Sequence, residues 1–554
     1  MTPMHLNIKL YITSVCCLFA IACFAQDKKY EIGAPTDLEK TGWNKVLCMK
    51  NGNTMLFHFE INKPLLVKVF DSTHKEIASQ KCMAGMFSDN LFKETLFQGL
   101  FEVNGEAVLF ADQEHLSKHG LLRLRFNGTD GSLTGEDRIA ESPSMSIQTD
   151  FTVVNNKWEN NYAIVYCTDN QPFKRCDLHI TYYNNRHEVV KTINLDFDRG
   201  KYATASVLGA DIAPNGIFVS LHLAILEMNS TLNGSRQIVH NYYQGFFIAK
   251  DSSTVKKTSV VDLTTEVYPA IPYYTYNPFA AALNVLLLSY KLVPVENSLK
   301  FQASQEIKHL FMRFDEADMK SNFSWIKNTM ANEYLHNNAD SNAFYEGVPV
   351  NVFTNENGLS TVISESFSLF ADPDPKGRRN FGNYRAYLGN IGITQYDDDG
   401  KELWGIVLPE SQCYNSSTGF YDMGDLFKKG QTQTMFGDLP EQVYFRQFFA
   451  LNTYSRNRNF YIIFNDDKKH FNNTLKNPGD TLTSFEHANT FCYTINRKKE
   501  VSKKYLFGEL AADEYLCSFI EGADFDEQRG VYAALVRYQK GDDVSLRMAW
   551  SHLD

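Results

Sequence analysis

Residues 43–82 read WNKVLCMKNGNTMLFHFEINKPLLVKVFDSTHKEIASQKC. Trp43–Lys50 has the composition of a β-strand, and Asn51-Gly52-Asn53 that of a tight turn. Thr54–Asn62 alternates apolar and polar residues, as a half-buried strand does. Leu65–Ser72 and Glu76–Cys82 supply a third and a fourth run. Asn-Gly between alternating runs is a strong hairpin signal, because the favoured turns need positive φ. A four-stranded sheet of this size leaves its faces uncovered and must stack on a neighbour.

The neighbours are in the chain itself, because the same pattern returns about eight times. Copy two runs through Phe97–Val103, Glu106–Gln113, Leu121–Phe126 and Leu133–Ala140, with Asn104-Gly105 as its turn. Copies three and four begin at Ile147 and Val207, copy five at Tyr273, copy six at Val348, copy seven at Phe445 and copy eight at Cys517. Repetition of small antiparallel sheets predicts an all-β chain folded as a single β-propeller. About eight blades are expected, with seven as the alternative because copy five is faint. No long stretch carries helical periodicity; Met423–Lys429 is the nearest candidate and it is short.

Two irregularities add detail. Copy eight runs out after its third strand, while Lys28–Pro35 precedes copy one and belongs to no blade. A strand around Tyr30–Ile32 completing the last blade would join the two ends and remove an exposed sheet edge. The second irregularity is length. Copies four to seven carry long insertions between second and third strands, at 224–244, 293–308, 369–387 and 466–487, and long connections at 328–344 and 412–443. In a propeller both kinds of connection open on one face. Long loops on a rigid scaffold are where binding residues concentrate, so the partner is expected on that face of blades four to seven.

The first 25 residues read as a secretory leader. Lys9 precedes an apolar run, Leu10–Phe24, and small residues lead to cleavage after Ala25. The propeller domain then spans 26–554. A lipid anchor on Cys23, behind Ala20-Ile21-Ala22, is the minor alternative. Ala280–Tyr290 is too short to cross a bilayer, so no membrane span is expected after leader removal. An exported location follows: periplasm, outer-membrane surface or extracellular space.

The formal net charge is −11, and no run of Lys or Arg interleaves with aromatics. An acidic domain repels phosphate backbones, which argues against nucleic acid. Of ten cysteines, Cys16, Cys17 and Cys23 fall in the leader, leaving an odd number. Cys167 and Cys176 flank one hairpin loop and Cys48 and Cys82 share a blade; either pair can bridge, or each residue can serve as a small buried hydrophobe. Neither CxxC nor zinc spacing occurs, and no cofactor motif is present.

Candidate ligand-binding residues cluster in the insertions. Asp372 and Asp374, followed by Arg378, Arg379, Tyr384 and Arg385, form the most chemically dense stretch. Its carboxylates suit a hard cation or acid–base work, and its guanidiniums suit an anion; a solvated loop is the competing reading. His240 and His470 lie in other insertions, as does His487, and Tyr243 supplies an aromatic ring for stacking on a sugar or side chain. The three histidines lack metal-site spacing. Asp397-Asp398-Asp399-Gly400 reads as a hairpin turn. It fails the sialidase Asp-box, since Tyr396 stands where Ser is needed and Trp404 is one place too far along.

Phe24-Ala25-Gln26, the segment YIIFND at Tyr461–Asp466 and the hairpin YDDDGKELW at Tyr396–Trp404 resemble features of uncharacterised secreted β-propeller proteins of Bacteroidota. The resemblance covers most of the chain after the leader and rests on structural motifs. It implies an envelope or extracellular location and transfers no catalytic residue. The expected function is recognition or scaffolding in the cell envelope, with a protein, peptide or glycan partner. The rival is a propeller-fold glycosidase or lyase using loop carboxylates such as Asp372 or Asp374.

Overall fold

The computed structural model describes residues 29–553 except 40–41, 61, 88–94, 116–117, 143–148, 150, 157–158, 171–174, 199, 232–233, 252–253, 266–267, 278–280, 296–297, 303–308, 316–318, 320, 340–343, 356, 374–378, 398–399, 417–447 and 449–450. Strands dominate it, arranged as successive antiparallel quartets. Quartet 1 is Trp43–Cys48, Thr54–Phe59, Leu65–Phe70 and Glu76–Cys82, paired in that order. Quartets 2 and 3 occupy 96–141 and 151–198 with the same simple order. Quartets 4, 5 and 6 occupy 204–257, 268–326 and 348–408, quartet 7 occupies 451–505, and the last set begins at Glu514.

Among the described residues these sets form seven hydrogen-bonded sheets. The count is seven because quartets 5 and 6 merge. Ser298–Gln302 folds back on Lys291–Val295 and touches the second strand of quartet 6 through the Leu299↔Leu369 pair. The chain is therefore an all-β propeller, and seven, the alternative raised by the faint fifth copy, is its number of sheets.

The ring closes where the sequence suggests. Tyr30–Pro35 pairs antiparallel with Asp543–His552, matching Tyr30 to Ser551 and Ile32 to Ala549. Inner strands are also stitched across neighbouring quartets by side chains. Asp211 accepts from Tyr276 N (2.6 Å), Asp524 from Cys48 N (2.7 Å), and Asn351 donates to Thr453 Oγ1 (2.5 Å).

Apolar cores fill the seams between quartets. Trp43, Phe57, Phe97 and Phe126 lie between quartets 1 and 2. Ile363, Ile393, Leu408, Ile462 and Phe464 lie between quartets 6 and 7, and Val46, Phe70, Leu535 and Trp550 join the last quartet to the first. Second strands are covered on both sides, so Thr54–Phe59 is buried throughout. Burial on that scale is the main source of stability.

Two expectations need correction. The described residues of the insertions of quartets 4 to 6 are largely strand, not loop. Gly216–Thr231 and Gly234–Ala249 stay in register from end to end, and Ser360–Pro373 pairs with Arg379–Tyr396, both as long hairpin arms. Their residues are rich in β-branched and aromatic side chains, which favour continued pairing. The connection at 328–344 also contains a helix, α1, spanning Thr329–Asn338. It lacks a side-chain cap of its own; instead the Glu402 carboxylate accepts from Lys327 N and Met330 N. Gly405 lets α1 sit close, since a Cβ there would meet Ala331 N at 2.6 Å. Met423–Lys429 lies outside the described residues.

Cys167 and Cys176 form a disulfide across adjacent strands of quartet 3, while Cys48 and Cys82 are not bridged.

Candidate functional site

The expected site residues belong to three quartets: His240 and Tyr243 to quartet 4, Asp372, Arg379, Tyr384 and Arg385 to quartet 6, and His470 to the connection after the second strand of quartet 7. Asp374 and Arg378 lie outside the described residues. Asp372 falls at the end of Ser360–Pro373, and Arg379, Tyr384 and Arg385 lie on the returning strand, with Tyr384 opposite Ala371 and Ser416. His240 sits mid-hairpin opposite Ile225. Tyr243 is not on a rim: it is fully buried beside Phe218 and Phe247, and its hydroxyl bonds Ser220 Oγ at 2.9 Å. An alternating strand makes it inward-facing, so it packs the seam between quartets 4 and 5. His487 is exposed and its ring lies tilted against Tyr515 at 4.8 Å. Among the described residues no three His, Cys, Asp or Glu side chains gather as a metal site would require. Asp397 does close a turn, accepting from Lys401 N at 2.8 Å, with Gly400 at φ 74°.

His470 leads to a different constellation, which caps the seam between quartets 6 and 7. Side chains on a strand alternate faces. Ile363 faces this seam and so does Glu365; Ile406 and Leu408 face it and Glu410 follows; Ile462 and Phe464 face it and Asp466 follows. The apolar stripes of two strands thus continue into Glu365 and Asp466, and Glu410 follows a third strand two residues after Leu408, at one end of one seam. All three carboxyls are buried, at 3–6% exposure.

Their environments differ. Asp466 accepts from His470 Nδ1 at 2.6 Å and lies 3.8 Å from Lys503 Nζ. His470 is placed by a short 3₁₀ turn at Lys468–His470, capped by the Asp467 carboxylate accepting from Lys469 N. Lys503 donates to the His470 carbonyl and rests its ammonium over the Phe464, Phe491 and Tyr493 rings, at 5.4, 4.8 and 5.4 Å. Burial pulls the Lys503 ammonium below its usual range, and burial pushes Asp466 up despite His470 and Lys503.

Glu410 has one polar contact, Gln412 Nε2 at 2.8 Å, and the same amide reaches the Asn465 carbonyl. Glu410 Oε2, Glu365 Oε1 and His470 Nε2 are buried without a hydrogen-bond partner among the described residues. Burial drives Glu365 up to about 8, and burial plus the nearby Glu365 and Asp466 charges drives Glu410 well above the carboxylate range. In both, burial favours the proton-bearing form. Uncompensated burial of a carboxylate is costly, and taking up a proton is the usual relief.

The cluster lies on the face of the long connections. The segment at 409–416 follows the fourth strand of quartet 6 and the segment at 471–487 links second to third strand in quartet 7; they meet through a Gln412↔Leu482 bridge. That contact puts the two classes of connector on one face, as a propeller requires. Sequence reasoning found His470 and missed Glu365, Glu410, Asp466 and Lys503. The readable signal was an acid continuing an apolar alternation: Ile363-Ser-Glu365, Leu408-Pro-Glu410, Phe464-Asn-Asp466.

No protein-family model matches the chain, and no curated protein does. Similar solved structures include an endo-arabinase from Bacteroides thetaiotaomicron, 10% identical with a TM-score of 0.25 over 68% of this chain and 97% of that one. A Synechocystis apocarotenoid oxygenase variant is 10% identical with a TM-score of 0.29, over 69% and 94%. A post-proline cleaving enzyme from Rickettsia typhi is 12% identical with a TM-score of 0.35, over 92% of this chain and 58% of that one. Likenesses this loose carry no argument about chemistry.

Proposed function

We propose that this chain is an exported β-propeller that recognises a protein, peptide or glycan on its face of long connectors, over quartets 4 to 7. The observation that carries this reading is asymmetry. Quartet 1 turns from second to third strand within 60–64, whereas quartets 4 and 6 extend those strands into hairpin arms through Thr231 and Pro373. A rigid ring with arms on one sector of one face is a shape for docking, since paired strands hold side chains and edges in fixed positions. Trimming residues 226–239 and joining the shortened strands tests it. Binding to a glycan array and an immobilised peptide library is expected to fall about tenfold for the trimmed protein. A control shortened at the opposite face, in the 184–188 turn, keeps its binding. Equal signals from both proteins, or no signal from the intact one, would count against the reading.

Export is part of the proposal. The Cys167–Cys176 disulfide supports it, because such bonds persist outside the reducing cytosol. Protein recovered from cells is expected to begin at Gln26 with this pair oxidised. Replacing both cysteines by serine is expected to lower stability by about 2–3 kcal/mol, the loop-closure value for a short ring. An N-terminus retaining Met1, with both thiols free to alkylation, would overturn the export reading.

A second reading, acid–base chemistry, is favoured by one feature: Glu365 and Glu410, in which burial favours the proton-bearing form, stand in the same cluster as the Asp466–His470 pair. A carboxylic acid held protonated near neutrality is what a glycosidase or lyase uses as its proton donor. Shortened or unsaturated sugars appearing on the glycan array, and absent with Glu365→Gln, would favour it over pure recognition.

A further inference from the structure

We propose that a cleft at the ring closure binds one pyranose ring of a glycan, at a site separate from the face of long connectors. The cleft has a volume of about 520 Å³ and is lined by Tyr30, Glu31, Ile32, His74, Trp550 and His552. Small-molecule sites run from about 300 to 1,000 Å³ and combine apolar walls with a few fixed polar groups. Three pieces of chain build this one: the N-terminal strand, the final strand it pairs with, and the 71–75 turn of quartet 1.

The polar groups are held in place. Trp550 is the floor, 1% exposed, and its indole N–H donates to Thr54 Oγ1 at 3.1 Å. The His74 ring stacks on that floor, with 4.3 Å between centroids and 9° between planes. An ionised carboxylate only accepts, so His74 Nδ1 donates to Glu31 Oε2, at 2.8 Å. Nε2 of the neutral ring is left as an acceptor. The bond occupies one Glu31 oxygen, and with 54% of the side chain exposed the other can receive a hydroxyl proton.

This wall selects a neutral, hydroxyl-rich ligand with one apolar side. Its single carboxylate already has His74 as partner, which weakens its pull on a cation, while its negative charge repels phosphate or sulfate. His74 also covers the Trp550 ring, so the aromatic cage that an alkylammonium needs is not open. A sugar hydroxyl both donates and accepts, and it finds Glu31 and His74 Nε2 as acceptors. His552, exposed two residues beyond Trp550 on the same face of the strand, adds a ring N–H. Half-buried Tyr30 and Ile32 supply a side against which the C–H face of a pyranose packs.

The test is saturation-transfer NMR on the full chain with the methyl glycosides of glucose, galactose, mannose and N-acetylglucosamine. Choline chloride and sodium phosphate probe the two charged classes. At least one glycoside is expected to bind with a dissociation constant of the order of 1 mM, the strength a ligand of about a dozen non-hydrogen atoms reaches through few contacts. Glu31→Gln and His552→Ala are each expected to weaken it about tenfold. Glutamine at 31 still accepts from His74 Nδ1, so the urea midpoint should hold in both variants, which separates a lost contact from a loosened ring. In the intact protein the bound glycoside should shift the imidazole signals of His74 and His552 and leave those of His487 unmoved. The protein trimmed at 226–239 should bind it unchanged, so this site and the connector-face reading stand or fall separately. No glycoside bound, binding indifferent to both substitutions, unmoved His74 and His552 signals, or stronger binding of choline or phosphate would overturn the site.

Discussion

A chain starting at Gly42 is expected to lose the ring and not merely a tail. Such a truncation removes Tyr30–Pro35, the fourth strand of the last quartet, and leaves Asp543–His552 as an open edge. It deletes the backbone bonds between Thr36 N and Leu546 O and between His552 N and Lys29 O, both 2.7 Å, together with the ladder itself. Each such bond is worth about 1 kcal/mol net, and half-buried Tyr30 and Ile32, which pack on the core between quartets 7 and the last, add about 1–2 kcal/mol each. The total is of the order of 5 kcal/mol, against a net stability of roughly 5–15 kcal/mol for a folded domain. Trp550 makes the loss worse. Its indole donates to Thr54 Oγ1 across the closure and stacks on His74 at 4.3 Å, and His74 bonds Glu31 at 2.8 Å. Denaturant unfolding should show a lowered midpoint, and size exclusion should show association through the open edge. A chain starting at Lys29 should match the intact protein, and a synthetic 29–39 peptide added in trans should rescue the truncated one. If the Gly42 start unfolds like the intact chain, the closure is not holding the ring.

This closure was legible because it depends on counting. An orphan strand at one end and a missing strand at the other are visible in any sequence with a clean four-strand repeat, and Asn51-Gly52 and Asn104-Gly105 mark the repeat. The arms were not legible as arms. Stretches such as Phe370–Arg385, dense in Pro, Gly and charge, read as a long loop, and sequence alone does not separate that from two strands extended beyond the blade. Tyr243 shows the limit for single residues. Its place in an insertion suggested a rim, whereas its parity with the seam-facing strand residues placed it inside.

The acidic cluster was hidden for a related reason. Its carboxyls come from two strands and from the residues just after a third, far apart in sequence, so no local spacing announces it. Its only local trace is parity: an acid two residues beyond a seam-facing Ile, Leu or Phe. The dense Asp372–Arg385 stretch drew notice because its charges adjoin in sequence, and adjacency says little about burial. His470 was found as a loop histidine, yet its importance lies in being 4% exposed beside Asp466.

Stability is expected to fall as pH rises from 6.5 to 8, and Glu365→Gln is expected to flatten that fall. Burial raises Glu365 from the ordinary carboxylate range to about 8, and it raises Glu410 in the same direction. Between those limits the folded chain holds protons that the unfolded chain has released. The folded state is therefore favoured at lower pH, and its advantage is lost as pH climbs toward 8, with a slope of up to about 1.4 kcal/mol per pH unit for each proton. The window starts at 6.5 because burial depresses His58, His187 and His222. Those rings are neutral in the fold and charged in the acid-unfolded chain, so they give the opposite slope below that pH. Asp211, raised to about 7 by burial between quartets 4 and 5, contributes to the same fall, and Asp211→Asn isolates its share. Glutamine at 365 keeps the shape of the protonated acid and removes the titration, so the variant should already be the more stable at pH 6.5, above the range of the unfolded carboxyl, and its margin should widen toward pH 8. Urea midpoints at half-unit intervals decide the matter. Parallel curves for the intact and Glu365→Gln proteins would mean that this carboxyl ionises without penalty, which is incompatible with its burial.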